Sequence, residues 1–374
     1  MLRGDQALAD LIREKIRREG PITFAAFMEQ ALYHPQLGYY SSDRCQIGRR
    51  GDYFTNVSVG PLFGRILAAQ FEEMWRILGQ PDPFTIVEQG AHHGEFAKDV
   101  LDVVRQDAPD FSRTLRYAMI EPFPTLRARQ EEALAEYAGS VSWRDSLQEL
   151  EPFSGVHFSN ELLDAMPVHV VRRRANGDWE EVRVGDSPAG FVFTAEGIAD
   201  EKLRGAVAKS SRSIEGDYET EINLAAPQWI ELLAQKLSRG FVLAVDYGYS
   251  RAEYRAPSRT TGTLQAYARH RRLTSPLEEI GCADITAHVE WTSIAERAEE
   301  AGLKVVGFAD QHHFITGLLS GLTIDADQRR GLQTLLHPEF LGTRFQYLAL
   351  GKDVPEKGLS GYQFAREPRK SLGL

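Results

Sequence analysis

Cysteine is scarce in this chain. Only two of the 374 residues are cysteines, Cys45 and Cys282. They lie far apart in the sequence and outside any metal-binding spacing, so we expect no zinc site and a reducing, cytoplasmic location. The adjacent histidine pairs His92-His93 and His312-His313 have no third ligand at metal spacing. We therefore predict that the chain holds no metal.

Positive charge and long apolar runs are also scarce. The chain has 43 lysines and arginines against 53 acidic residues, and its net charge of −10 argues against a general nucleic-acid binder. No apolar run reaches the roughly 20 residues that a membrane-spanning helix needs. Charges of both signs alternate along residues 2–19, which is typical of neither a signal peptide nor a transit peptide. We expect no nucleic-acid partner and no membrane insertion.

The arrangement of apolar residues changes near residue 82. Amphipathic patterns before that point predict a helical cap over residues 1–82, with helices at 8–18, 23–32 and 62–78. Apolar segments after it alternate with helical patterns and predict an α/β core over residues 83–374. The predicted core strands lie near residues 84–89, 115–121, 156–160, 240–246, 303–309 and 344–350.

The predicted core contains an insertion at about residues 168–225. Residues 168–194 show short alternating strands, and Asn176-Gly177 is typical of a hairpin turn. Residues 200–220 are polar and poor in large apolar side chains, which predicts a mobile excursion before a helix at 227–237.

The strongest sign of function is the turn that follows the first core strand. This strand ends at Glu88, the chain turns through Gly90 and Gly94, and a helix begins at Glu95. Glycines at such a turn let a nucleotide-like cofactor approach the main chain. The order Glu-x-Gly-x-x-x-Gly favours S-adenosylmethionine over a dinucleotide, because His92 stands where the dinucleotide motif has a glycine. A tight structural turn is the alternative.

Acidic residues also follow two further predicted strands. Glu121 ends the second strand, where this kind of fold hydrogen-bonds ribose hydroxyls. Asp145 follows a short possible strand and could face an adenine ring, although its position is more typical of a surface loop. Both residues are therefore candidates for cofactor binding.

An amide and two carboxylates, Asn160, Glu161 and Asp164, follow the strand at 156–160. If a short helix begins near Asn160, the two carboxylates are three residues apart and share one face. Such a pair suits a guanidinium, whose planar fork favours bidentate carboxylates. In the alternative, Asn160 caps a helix and both acids are solvated.

Taken together, these motifs resemble the MidA-like methyltransferases, whose mitochondrial members help to assemble respiratory complex I. The similarity runs in order from about residue 20 to residue 320. The segments that carry it are Gly20–Phe24, His34-Pro35, Gly38–Tyr40, Gly51–Thr55, Gly60–Gly64, Glu88–Gly94, Glu121-Pro122, Asn160–Pro167, Asp246–Gly248 and Asp284–Val289.

The resemblance implies a class I S-adenosylmethionine-dependent fold, Rossmann-like, with a seven-stranded sheet whose last strand is antiparallel and an N-terminal helical cap. In mitochondrial members it also implies symmetric dimethylation of an arginine on a respiratory-complex subunit. For this chain it implies a protein substrate, and it leaves the oligomeric state, including a homodimer, open.

On this sequence the cofactor would lie across Gly90 to Gly94, beside Glu88, and Glu121 would hold its ribose. Asp52 and Thr55 would close the site from the cap. Asn160, Glu161 and Asp164 would orient the acceptor.

The chain departs from the family pattern at three places. His92 replaces a glycine, Gln89 replaces an apolar residue, and Asn56-Val57-Ser58 follows Thr55 where the family has Pro-Glu. A protein-arginine methyltransferase is the first hypothesis, and a small-molecule methyltransferase is its nearest enzymatic alternative. The departures motivate another hypothesis, a binding or assembly module with weakened catalysis.

Overall fold

The structure is a computed structural model that describes residues 4–42, 55–210, 216–269 and 271–374. The chain forms two compact units. The first unit consists of Met1–Phe54, Leu163–Gln228 and Ala252–His288. The second unit consists of Thr55–Leu162, Trp229–Arg251 and Val289–Leu374. The chain therefore passes between the units several times, and neither unit is one continuous segment.

The second unit is built on a mixed sheet. Its strands are β1 (Phe84–Gln89), β2 (Leu115–Ile120), β3 (Val141–Arg144), β4 (Phe153–Asn160), β5 (Leu237–Tyr249), β6 (Lys304–Asp310) and β7 (Phe345–Lys352). They lie in the order β6-β7-β5-β4-β1-β2-β3, and Val289–Glu290 adds a short parallel pairing to β5. Strands β1 to β5 pair in parallel, whereas β7 is antiparallel to β5 and β6. The predicted α/β class and its antiparallel last strand are confirmed.

Helices cover this sheet because its strands are apolar on both faces. Phe158 of β4 packs against Phe71 and Phe96, with ring centroids 5.6 Å and 4.5 Å apart. The helices of the second unit are Leu62–Ile77, Glu95–Asp107, Pro109–Thr114, Pro124–Ala133, Trp291–Glu300, Gln311–Leu319, Arg329–Leu336 and Pro368–Leu372. Helix Leu62–Ile77 thus belongs with the sheet, and not with the N-terminal segment to which the boundary at residue 82 assigned it.

The first unit combines the N-terminal helices with the inserted strands. Its helices are Gln6–Glu19, Phe24–Tyr33 and Glu201–Ser210. One antiparallel sheet contains Ile22–Thr23, Trp179–Ser187, His169–Arg173, Tyr218–Ile222 and Gly190–Gly197, and a second contains Arg271–Arg272, Gln265–Ala268 and Asp284–Thr286. Ile22 pairs with Val184, and both are buried in one core with Phe27. The two regions predicted as cap and insertion therefore share one hydrophobic core.

The inserted segment was predicted only in part. The hairpin at Asn176-Gly177 is confirmed, because Arg173 pairs with Trp179 across it. The mobile excursion expected at 200–220 is wrong where the structure describes this segment, because Glu201–Ser210 is a helix whose Leu203 and Val207 are buried. Residues 211–215 lie outside the described residues. Two apolar residues four positions apart give this helix a buried stripe despite its polar composition. Helices Ala225–Lys236 and Arg251–Tyr254 cross the division between the units.

Candidate active site

Strands β1 and β4 are neighbours in the sheet although β2 and β3 lie between them in sequence. The order of strands reverses at this point, and ligands of open α/β sheets bind there, outside the carboxyl ends of the strands. The turn after β1 lies at this edge, and so do Asn160, the last residue of β4, and Glu161, which follows it. The structure thus brings together two of the segments that the sequence predicted.

The turn after β1 takes the left-handed backbone conformation at three residues. The φ angles are 83° at Gly90, 46° at His92 and 86° at Gly94. Gly90 is exposed, and a Cβ atom placed on it would meet only Leu162 at 3.5 Å or more. Histidine is among the non-glycine residues that tolerate this conformation best. The turn therefore exposes its backbone even though His92 replaces a glycine.

We expect Gly90→Ala to destabilise the protein through its backbone alone. The added methyl group has room, but a left-handed residue with a Cβ atom costs about 1–2 kcal/mol. Thermal unfolding should show a midpoint about 1–3 °C lower. Gly139→Ala is the matched control, because that glycine has no positive φ and no neighbour within 4 Å. An equal shift in both variants would contradict the assignment of strain to Gly90.

Two buried carboxyl groups flank the turn. Glu88 is 3% exposed and accepts a hydrogen bond from the Tyr117 hydroxyl at 2.6 Å. Burial raises the pKa of Glu88 to about 7, although the Tyr117 bond opposes this shift. Glu121 is 5% exposed, and burial likewise raises its pKa to about 7 against hydrogen bonds from the Phe123 amide and the Gln130 side chain. Both carboxyls therefore change charge near neutral pH.

A chain of side-chain amides leads to Glu161. Asn56 Nδ2 donates to Asn160 Oδ1 at 3.1 Å, and Asn160 Nδ2 donates to Glu161 Oε1 at 2.9 Å. The Glu161 backbone amide donates to Val245 O at 2.9 Å. These bonds fix the carboxylate at the end of β4. Asn56 is fully buried, and sequence reasoning treated it only as a departure from the family pattern.

The short helix considered near Asn160 is wrong. Residues 161–168 form bends and turns, and Glu161 has a φ of 54°, which an α-helix does not allow. Glu161 and Asp164 therefore do not share a helix face, and Asn160 does not cap a helix. Asp164 is 5% exposed and belongs to the first unit, whereas Glu161 belongs to the second.

Several of the segments that carry the family resemblance lie in the first unit. Ala287 N donates to Asp164 O at 2.9 Å, and the Tyr33 hydroxyl donates to Ala165 O at 2.9 Å. The Tyr40 hydroxyl donates to Asp284 Oδ1 at 2.6 Å. Segments 33–40, 164–167 and 284–289, far apart in sequence, therefore fold against one another.

Three further site predictions have different outcomes. Thr55 is buried, and its Oγ1 accepts a hydrogen bond from Val57 N at 3.1 Å. Asp145 is 65% exposed and forms an ion pair with Arg127 at 3.3 Å, as a surface residue would. Asp52 lies outside the described residues. The departure at Gln89 has a structural explanation, because Trp229 Nε1 donates to Gln89 Oε1 at 2.9 Å.

His92, His93 and Glu95 offer three ligand atoms that all lie within 4.8 Å of one another. Sequence spacing missed Glu95 as a third group. The Nδ1 atoms of His92 and His93 lie 4.0 Å and 3.7 Å from Glu95 oxygens. Ligands of one tetrahedral zinc ion lie roughly 3.3 Å apart, and the positive end of helix Glu95–Asp107 disfavours a cation. We derive no metal chemistry from this cluster.

The donors and acceptors at this edge fit S-adenosylmethionine. The exposed Gly90 leaves the turn backbone open, and Glu121 places a carboxylate at the tip of β2. Among the described residues, the buried Asn56 Oδ1 has no hydrogen-bond partner. A ligand that carries hydroxyl and ammonium donors would match these acceptors.

Similar proteins share this architecture. A family model described as "Putative S-adenosyl-L-methionine-dependent methyltransferase" matches residues 66–309, more than half of the chain. The Drosophila melanogaster protein arginine methyltransferase NDUFAF7 homolog, mitochondrial, is 28% identical over 96% of this chain and 88% of its own length. The Homo sapiens protein arginine methyltransferase NDUFAF7, mitochondrial, is 26% identical over 96% and 85%.

A solved structure extends the similarity to three dimensions. It is a protein from Burkholderia thailandensis bound to S-adenosyl-homocysteine, with a TM-score of 0.85 and 31% identity over 96% of this chain and 95% of that one. The family match, the sheet order and the glycine turn agree with the resemblance inferred from sequence. The chain therefore belongs to this family of S-adenosyl-L-methionine-dependent methyltransferases.

Proposed function

We propose that the protein transfers a methyl group from S-adenosylmethionine to the guanidinium of an arginine in a protein substrate. The observation that carries this proposal is the Glu161 carboxylate, which the Asn160 amide holds at 2.9 Å at the ligand-binding edge of the sheet. A carboxylate fixed in this way suits a guanidinium. The arginine methyltransferase names of the relatives support the same acceptor.

Each residue has a role in this proposal. When bound, the cofactor would supply an electrophilic methyl carbon on a sulfonium. A guanidinium nitrogen would form a bond to this carbon as the carbon–sulfur bond breaks, with S-adenosyl-homocysteine as the leaving group. Gly90 to Gly94 would hold its amino-acid part, next to the buried Glu88, and Glu121 would accept hydrogen bonds from its ribose. Glu161 would orient the guanidinium and accept the proton that leaves the methylated nitrogen, and a role for Asp164 in acceptor binding stays a prediction from the sequence. Catalysis would then be mainly positioning and exclusion of water.

Some assignments rest on sequence alone. Asp52 and Thr55 as residues that close the site, and Asp145 beside the adenine, remain predictions. A respiratory-complex subunit as the acceptor, a homodimer and a cytoplasmic location also remain predictions. The names of the relatives specify mitochondria for those proteins. Among the described residues, none of the helices is both long enough and apolar enough to cross a membrane.

Label transfer tests the acceptor. The purified protein would be incubated with methyl-labelled S-adenosylmethionine and an extract from a source strain that lacks the gene. The labelled proteins would then be hydrolysed and their amino acids separated. We expect the label in methylated arginine. Label in another amino acid would refute arginine as the acceptor, and label confined to small molecules would favour a small-molecule methyltransferase.

The binding-module hypothesis has a specific observation in its favour, the histidine in the cofactor turn. Calorimetry with S-adenosylmethionine separates the two hypotheses. Because the turn exposes its backbone at Gly90, we expect a dissociation constant in the micromolar range. This corresponds to a binding free energy of about −8 kcal/mol. An absence of binding at millimolar cofactor would contradict the methyltransferase proposal and favour an assembly role.

A further inference from the structure

Gln130 is a fully buried amide in helix Pro124–Ala133. Its Nε2 donates to the His92 carbonyl at 2.8 Å and to Glu121 Oε2 at 2.9 Å. Its Oε1 accepts from Trp143 Nε1 at 3.0 Å. One side chain thus connects the turn after β1, the end of β2 and strand β3.

The partners fix the orientation of this amide. His92 O can only accept, Glu121 Oε2 accepts in its ionised form, and Trp143 Nε1 can only donate. A flipped amide would place its oxygen against two acceptors and its NH₂ group against a donor. The Gln130 amide therefore has one satisfactory orientation, in which both N–H groups are used.

The backbone of the turn also lies against this residue. A Cβ atom placed on Gly94 would be 3.5 Å from Gln130 Cα and Cγ, which is an ordinary van der Waals distance. The backbone at Gly94 therefore lies close to Gln130. His92, two residues earlier, holds a φ of 46°, which a residue with a Cβ atom adopts at a cost of about 1–2 kcal/mol. A hydrogen bond to its carbonyl opposes relaxation of the turn to a commoner conformation.

We propose that Gln130 is a positioning residue for the cofactor. Its amide holds the left-handed turn at His92 and the Glu121 carboxylate in one arrangement, before the cofactor binds. This hydrogen bond lets a residue with a Cβ atom hold a positive φ at position 92. The proposal rests on S-adenosylmethionine as the cofactor and is independent of arginine as the acceptor.

Sequence analysis missed Gln130, although a signal exists. Leu126 and Gln130 are four residues apart, and both are buried on the same face of a helix whose other residues are mostly charged or small. A glutamine on the buried stripe of such a helix needs partners for its amide. The sequence does not reveal that those partners come from the turn after β1, the residue after β2 and strand β3.

The test measures affinity for S-adenosylmethionine by calorimetry. Gln130→Met keeps the length of the side chain but leaves buried polar groups unpaired, so we expect binding about tenfold weaker or worse. Gln130→Glu keeps the shape, but its carboxyl offers one O–H donor at most where the amide offers two N–H donors to His92 O and Glu121, so a similar loss is expected. The second variant covers the case in which the first does not fold.

A double variant separates positioning from general destabilisation. Glycine adopts positive φ without strain, so His92→Gly combined with Gln130→Met should recover about fivefold of the lost affinity. Gln311→Met is the matched control. Gln311 is also fully buried and bonds Leu335 O at 3.0 Å and the Tyr347 hydroxyl at 2.9 Å. We expect this control to lose stability while its affinity for the cofactor changes less than about twofold.

Four outcomes would overturn the proposal. Wild-type affinity in folded Gln130→Met or Gln130→Glu would show that the amide does not position the cofactor. An equal loss in Gln311→Met would attribute the effect to stability, and a double variant as weak as Gln130→Met would remove the link to His92. No binding by the wild-type protein would overturn this proposal and the proposed function together, whereas the other outcomes leave the proposed function intact.

Discussion

Glu161→Gln should lower the rate of methyl transfer about a hundredfold or more and leave S-adenosylmethionine affinity within about twofold. The amide has the size of the carboxylate, but it carries no charge to hold a guanidinium and accepts no proton at neutral pH. Glu161 lies after β4, whereas the proposed cofactor contacts lie after β1 and β2, so the two functions are separable. The rate is measured with labelled cofactor on the extract described above, and the affinity by calorimetry.

The left-handed backbone at Glu161 requires a control of its own. Glu279 is a second glutamate with positive φ, 46° against 54° at Glu161, and it pairs with Arg269 in the first unit. Glu279→Gln should leave methyl transfer unchanged. A comparable fall in both variants, or lost cofactor affinity in Glu161→Gln, would indicate a structural role for Glu161.

The sequence predicted the second unit well because its signals are local. Most of the core strands contain a short apolar run, and the turn after β1 follows directly from the acid at the end of the strand and the two glycines. Position along the chain therefore sufficed to place Glu88, Gly90 and Glu121 near one edge, since the carboxyl ends of parallel strands share it.

Nonlocal features were beyond the sequence. The N-terminal helices share a core with strands more than a hundred residues later, as the pairing of Ile22 with Val184 shows. A single boundary along the chain cannot describe a unit that is built from three separate segments. Asn56 and Gln130 were missed for the same reason, because their roles depend on partners that the fold brings from other elements.

The helix expected after Asn160 failed for a different reason. A three-residue spacing between acids is compatible with one helix face, but it does not determine backbone angles. Glu161 has a left-handed φ, and its backbone amide donates to Val245 O of β5. It therefore continues from the end of β4 alongside β5 and does not begin a helix. The carboxylate remains at the predicted edge of the sheet, although the local structure that presents it is different.

Affinity for S-adenosylmethionine should depend strongly on pH through Glu121. The ribose hydroxyls would donate to its carboxylate, so binding favours the ionised form, and burial raises the pKa of Glu121 to about 7. Protons then compete with the cofactor below neutral pH. Between about pH 8 and about pH 6 the affinity should fall roughly tenfold, and by a similar factor for each further unit.

Two variants test whether the pH dependence of cofactor affinity comes from Glu121 or from Glu88. Glu121→Gln cannot titrate at this position, so its affinity should vary with pH by less than about threefold over the same range. Glu88→Gln should retain the wild-type dependence, although burial raises the pKa of Glu88 to about 7 as well, because Glu88 is bonded to Tyr117 rather than assigned to the ribose. A flat profile in Glu88→Gln with a steep one in Glu121→Gln would reverse the assignment. A flat wild-type profile would mean that neither carboxylate binds the cofactor in its charged form.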